Sequence, residues 1–424
     1  MVENGKRTTM PKLRFPEFRT RLGWKSIRLG DVSTPVTERV GERKLTPVSI
    51  SAGVGFVPQA EKFGRDISGN QYSLYTLVRD GDFVYNKGNS LRFPQGCVYQ
   101  LRGWGEVAAP NVFISFRLKQ GFVAEYFQYC FEKNIHGVQL KQHITSGARS
   151  NGLLNVSKDQ FYGVGIPMPL PDEQQKIADC LSSLDELIAA QVRNVEALKS
   201  YKLSLVQRLF PRAGETHPRL RFPEFQNSGE WMREELSRCL EKVIDYRGKA
   251  PPKSNSGVPL ITARNVRFGW LDMTSDEYIG EGEYTKWMSK GIPQDGDILF
   301  TTEAPLGNVA LFPSTGRFAL GQRLLTLRPR SEKCLSAFLF QSLLGPSMQK
   351  EIDFHSTGTT AKGIKSTVFV KISFCYPGVD EQRRIADYLT SLDNIIAGET
   401  NKLAALNTHK KGLMQQLFPS QEET

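Results

Sequence analysis

DEQQKIADCLSSLDELIA, residues 172–189, returns 208 residues later as DEQRRIADYLTSLDNIIA, residues 380–397. Extended to the LFP that ends each stretch, at 209–211 and 417–419, the two segments share 20 of 40 aligned residues, which makes them a true internal repeat. Two further anchors lie upstream. PKLRFPEF at 11–18 returns as PRLRFPEF at 218–225, and Trp24 with Leu29 recurs as Trp231 with Leu236. Between these anchors the halves diverge, keeping only landmarks such as Asp80-Gly81-Asp82 beside Asp295-Gly296-Asp297, and Ser146-Gly147 beside Thr357-Gly358. Constant ends flank variable middles.

The repeated segments read as long helices. Ile177, Leu181, Leu184, Ile188, Val195, Leu198, Leu205 and Leu209 fall on a 4,3,4,3 rhythm, with Gln191 and Lys202 on the missing beats. Ile385, Leu389, Leu392, Ile396, Leu403, Leu406, Leu413 and Leu417 follow the same rhythm, with Glu399 and Lys410 at the matching gaps. A 3.5-residue period kept over five heptads is a coiled-coil seam, and polar residues on a seam fix register and partner. A narrow stripe suits a partner helix better than a broad core, although each helix could instead pack on its own domain. The natural partner is the other copy; two-fold pairing of duplicated units makes the helices antiparallel and places the variable domains at opposite ends. The spacing puts Asp172 and Asp380 at the N-caps, and Pro211 and Pro419 stop the helices.

These signals divide the chain at 1–171, 172–211, 212–379 and 380–424. At 424 residues, two or more domains are expected. The composition, 39% hydrophobic and 23% charged, is that of a folded protein rather than a disordered one. Apolar runs are too short to span a membrane and the opening residues lack an apolar signal core, so the expected location is the cytoplasm. The six cysteines form no CxxC pair and read as reduced thiols. The five histidines fail to cluster with Cys, Asp or Glu at ligand spacing, so no metal is expected. The net charge of +11 is unevenly spread: +10 and +4 on the two variable segments, −1 and −2 on the two helical ones. Basic globules joined by near-neutral connectors fit a polyanionic ligand.

Each variable middle mixes β-rich stretches (82–85, 98–101, 112–118; 298–301, 323–328) with helical patterns at 124–133 and 336–352, an α+β class. Polar, glycine-punctuated loops lie at 87–92, 145–152, 262–267 and 356–365. Their Lys87, Asn89, Arg92, Arg149, Asn151, Arg264, Asn265, Arg267, Lys362 and Lys365 are of the types that reach base edges and phosphates, or stand as ordinary solvated loop residues. For pairing of the helices the candidates are Ile177, Leu181, Leu184 and Ile188 with Ile385, Leu389, Leu392 and Ile396. No GxxxxGKS/T phosphate loop or GxGxxG turn occurs. GxSxG, HExxH and the Asn/Asp-Pro-Pro-Tyr/Phe tetrapeptide of amino-methyltransferases are missing as well. The chain reads as a recogniser without a catalyst.

Two variable domains, each followed by a repeated helix opening PLPDEQQKIADCL or PGVDEQRRIADYL and each preceded by a KLRFPEF-like stretch, resemble the specificity subunit of a type I restriction-modification system. The resemblance covers essentially the whole chain. It implies that each variable middle is a target recognition domain reading one half of a split, asymmetric site in double-stranded DNA, with the helices setting the spacing. It also implies assembly with two methyltransferase subunits, and through them with restriction translocase and nuclease subunits. S-adenosylmethionine, ATP and Mg would then belong to those partners and no cofactor to this chain. Contact residues do not transfer by motif within such domains.

Residues 1–211 form a complete half whose seam would face water alone, at a cost of about 1.5–3 kcal/mol for each fully buried Leu or Ile side chain. A second copy of that half offers nearly the same seam. The isolated half is therefore expected to form a two-fold dimer and, with methyltransferase subunits, to modify a palindromic site. Sedimentation of the fragment checks this, a folded monomer at micromolar concentration being the contrary result.

Overall fold

The computed structural model describes residues 8–88, 91–144, 153–212, 214–246, 250–274, 277–359 and 361–419. It divides into two compact units, residues 1–191 with 402–424 and residues 192–401. The repeated segments are single helices of 39 residues each, Pro171–Leu209 and Val379–Leu417. The division by packing falls inside both helices. Each unit holds the start of one helix and the end of the other.

In the first unit Ile177, Ala178 and Leu181 from the start of the first helix share a core with Met414, Leu417 and Phe418 from the end of the second. In the second unit Ile385, Leu389 and Leu392 share a core with Leu205, Val206, Leu209 and Phe210. Leu184, Ile188 and Ile396 are half-buried. Within the second unit Asn194 donates to Glu399, Lys202 to Asp393, and the Tyr201 and Tyr388 hydroxyls meet, so positions rise along one helix as they fall along the other. The segments are antiparallel.

Polar seam positions carry ion pairs. Lys202 donates to both carboxylate oxygens of Asp393 at 2.6 and 2.7 Å, and Gln341 donates to the same group at 2.8 Å. At the equivalent beat in the first unit, Lys410 bridges Glu132 at 2.7 Å and Asp185 at 2.8 Å. Burial alone would lower the pKa of Lys410, but its bonds to Asp185 and Glu132 outweigh that and the net shift is upward.

Asp172 and Asp380 do not cap the helices. They sit in the first turns, where acid complements the helix dipole, and the backbone ladders begin from the carbonyls of Leu170 and Gly378. The residues that follow staple each helix to its domain. Glu173 accepts two bonds of 2.7 Å from Arg14 of the first KLRFPEF stretch, and the Arg14 fork also donates to the carbonyls of Arg21 and Leu22. Glu381 accepts from Arg221 at 2.7 and 2.6 Å, and Arg221 donates to the carbonyls of Ser228 and Gly229. Gln174 and Gln382 donate to Pro169 and Pro377. The KLRFPEF stretch also clips the end of the opposite helix segment in its unit, the Leu13 amide donating to the Gln416 carbonyl and the Leu220 amide to that of Arg208.

Both variable domains are α+β and share the order of one antiparallel sheet, while their second sheets differ in strand order. A ribbon joins the entry and exit strands, Lys25–Arg28 with Gly165–Met168 and Met232–Glu235 with Ser373–Tyr376. Above it in the first domain lies an antiparallel sheet in the order Ser33–Pro35, Ile114–Leu118, Phe83–Asn86, Cys97–Gln100. Its counterpart is Leu240–Asp245, Leu324–Pro329, Ile298–Thr302, Leu306–Leu311. A second sheet in each domain contains one parallel pair, Thr46–Ser51 with Glu106–Ala109 and Val258–Ile261 with Ala319–Leu320. The aspartate landmarks are structural: Asp82 accepts a fork from Arg117 and Asp297 one from Arg328. Gly81 and Gly296 before them stand at φ +95° and +81°, which glycine adopts without strain. The helical pattern at 336–352 is two helices, Ser336–Leu344 and Pro346–Phe354, because Pro346 cannot continue the first. All six cysteines are free, and four are buried.

Arg14 and Glu173 are 6% and 2% exposed, so removing one charge strands the other. Glu173→Gln is expected to cost about 3–5 kcal/mol. Replacing both residues with apolar ones should cost less than the two single changes summed. Thermal or urea unfolding of the four variants checks this.

Candidate nucleic-acid interface

In the first domain the central strand Phe83–Asn86 runs into the loop at 87–92. Gly88 bridges to Leu153 and the Leu154 amide donates to the Lys87 carbonyl, which ties the start of this loop to residues 153 and 154. The second domain repeats the connection: Glu303 bridges to Gly363 and the Ile364 amide donates to the Thr302 carbonyl. A stacked aromatic pair supports each junction, Tyr85 on Phe161 at 4.4 Å and Phe300 on Phe369 at 4.1 Å. Unlike sequences are thus held at like places by a common frame.

Of the candidates in the first domain, Arg92 is exposed, stacks over Phe93 at 5.5 Å and lies against the turn at Gly53. Lys87 is half-buried, with its ammonium 3.5 Å from the Val156 carbonyl. Asn86 pins the loop from inside, its amide donating to the Ile50 carbonyl while its oxygen accepts the Gly88 amide. Asn89, Arg149 and Asn151 lie outside the described residues.

In the second domain Asn265 corrects the sequence reading. It is 1% exposed, its oxygen accepts from the Thr262 amide and hydroxyl, and its amide donates to the Asp272 carbonyl, so it shapes the turn instead of reaching outward. Arg264 beside it is exposed, and among the described residues no partner falls to its guanidinium. Arg267 is exposed and paired with Asp272 at 3.1 Å. Bonds from Thr274, and then Arg267, hold Asp272 below the usual carboxylate range. Lys362 pairs with Asp353, and Lys365 is exposed at the start of the short helix Ser366–Phe369.

The sequence reading passed over several neighbours of these loops. Phe268 and Trp270 are 54% and 57% exposed on the turn closed by the bond from the Arg267 amide to the Trp270 carbonyl. Aromatic faces exposed among arginines suit contact with nucleic acid bases. Gln322 and Arg323 flank Arg264 on one cavity. The GQR that follows the strand Ala319–Leu320 is the trace they leave in the sequence.

A family profile for the type I restriction modification DNA specificity domain matches residues 70–199 and 238–408, one match in each half. The type I restriction enzyme MjaVIII specificity subunit of Methanocaldococcus jannaschii is 24% identical over 342 residues, which is 74% of this chain and 77% of that one. The type I restriction-modification S subunit from M. genitalium has a TM-score of 0.58 at 13% identity, over 97% of this chain and 99% of that one. A chain from a structural study of assembly of the type I R-M system has a TM-score of 0.57 at 17% identity, covering 94% and 98%. These two likenesses are of fold, and the profile match runs through most of both halves. The chain therefore belongs to the type I restriction-modification DNA specificity family, as a specificity subunit with two recognition domains and two long helices.

Proposed function

We propose that each variable domain reads one half of a split, asymmetric site in duplex DNA, and that the paired helices set the distance between the halves. The observation that carries this reading is the common frame with unlike loops: the same order of the antiparallel sheet and the same loop junction recur in both units while the loop sequences differ. Frame and reader are then separable, as binding loops on a rigid scaffold are elsewhere. The excess positive charge on both variable segments supports a phosphate-rich ligand. The helices also dock two methyltransferase subunits, and restriction translocase and nuclease subunits join through these. Adenine methylation, S-adenosylmethionine, ATP and Mg belong to the partners, while this chain contributes no catalytic group and selects the site.

Affinity for duplex DNA should fall steeply with salt, roughly 1,000-fold or more between about 50 and 200 mM if six or more phosphates are contacted. A salt-independent affinity contradicts the electrostatic part of the reading. Expressed with its methyltransferase partner, the chain should direct methylation to a two-part motif read from genomic DNA. Replacing residues 30–165 with the matching segment of another family member should change one half of that motif and leave the other half and the spacing intact. A change in both halves contradicts the assignment of one domain to each.

A further inference from the structure

Arg264 opens onto a cavity of about 250 Å³ in the second domain, whose walls include Lys253, Thr262, Glu277, Gln322 and Arg323. Three features make it a built site. The first is backbone conformation. Among the described residues only Asn134, Ala304 and Arg323 are non-glycine residues at positive φ, and the last two, at +46° and +64°, both line this cavity. Such conformations are unfavourable for side-chain-bearing residues and persist where the surroundings impose them, often at ligand sites. Here the Thr302 amide and hydroxyl donate to the Arg323 carbonyl at 3.0 and 3.3 Å.

The second feature is close approach. A Cβ on Gly321 would come within 2.9 Å of the Thr262 methyl, so glycine lets the Gln322–Arg323 corner press against the turn that carries Arg264. The buried Asn265 amide fixes that turn from beneath.

The third is charge pattern. Lys253 pairs with Glu277 at 2.7 Å and Arg323 with Glu303 at 2.9 Å, which leaves Arg264 as the cation without a partner among the described residues of the wall. The carboxylates of Glu277 and Glu303 set acceptors among the donors, which a phosphate, itself only an acceptor, leaves unused. A base pair suits the same mixture, because its major-groove edge presents acceptors and donors side by side. An arginine fork matches O6 and N7 of guanine, and a carboxylate accepts from the amino group of cytosine.

We propose that this cavity reads one G·C pair in the half-site of the second domain, with Arg264 donating to guanine and the strained Arg323, tied to Glu303, holding the facing wall. The proposal rests on the reading of the chain as a DNA specificity subunit and adds to it where, and by what chemistry, one base pair is chosen.

The test uses the full chain with its methyltransferase subunits and a pool of randomised duplex DNA, sequenced after binding. The unaltered complex must first enrich a two-part motif. Enrichment of no motif would overturn the reading of DNA recognition itself, and the proposal with it. Given a motif, Arg264→Ala should reduce preference for guanine at one position of one half about 10-fold or more, with other positions and the second half retained. Arg264→Lys, which keeps the charge but loses the fork, should relax the same position. Arg323→Gly relieves the left-handed backbone, so its melting temperature should hold or rise while preference at that position weakens. Arg264→Ala binding that falls evenly across all sequences would mark a phosphate contact and overturn the proposal. So would retention of every preference, or an Arg323→Gly variant that loses stability and keeps its preferences.

Discussion

Burial of Leu209 and Phe210 in the second unit, and of Leu417 and Phe418 in the first, is the constraint on which the rest of the architecture depends. Each fully buried Leu or Phe contributes about 1.5–3 kcal/mol. The second unit is one contiguous stretch, residues 192–401, whereas the first joins residues from both ends of the chain. The first unit closes only when the end of the second helix arrives from more than 200 residues away, whereas the second takes the end of the first helix from the residues just ahead of its own domain. Lys202 with Asp393 and Lys410 with Asp185 mark the exchange with charge at equivalent beats. A slip along either seam would strand these ammonium groups and carboxylates, so they fix register where the apolar residues alone would tolerate several.

From that exchange follows a division of labour. Arg14 with Glu173 and Arg221 with Glu381 lock each KLRFPEF stretch to the start of a helix. Gln174 and Gln382 tie the same turn to the last strand of the domain, and Asp82 with Arg117 and Asp297 with Arg328 brace the sheets. These groups hold the junctions at Gly88 and Glu303 in equivalent positions, so the loops can differ without disturbing the frame.

The sequence made the repeats, the helices and the α+β class legible because each leaves a periodic or duplicated signal. It could not decide which helix end closes which core: the seams at 177–209 and 385–417 are so alike that pairing with either copy satisfies the pattern, and chain connectivity chooses. The aspartate at each helix start suggested a cap, yet one more residue of helix forms ahead of it: Pro171, pre-set for a first turn, in one copy and Val379 in the other. The break at Gly345 and Pro346 was present in the letters but hidden under an apolar pattern that ran on through it. At the loops, residue type misled for Asn265, whose partner Asp272 lies seven residues on, and the GQR at 321–323 did not reveal that Arg323 stands at positive φ. Local chemistry was readable; partners brought close by the fold were not.

If each core is completed by the opposite helix, damage at one end of the chain must be felt in the domain at the other end of the sequence. Amide hydrogen exchange on a chain truncated after Asn401 measures this directly, since the cut removes Met414, Leu417 and Phe418 and spares the second unit. The account predicts faster exchange in Phe83–Asn86, Ile114–Leu118 and Ala124–Glu132 of the first domain, with Ile298–Thr302 and Ser336–Leu344 of the second still protected. Loosening of the second domain while the first stays protected would contradict it.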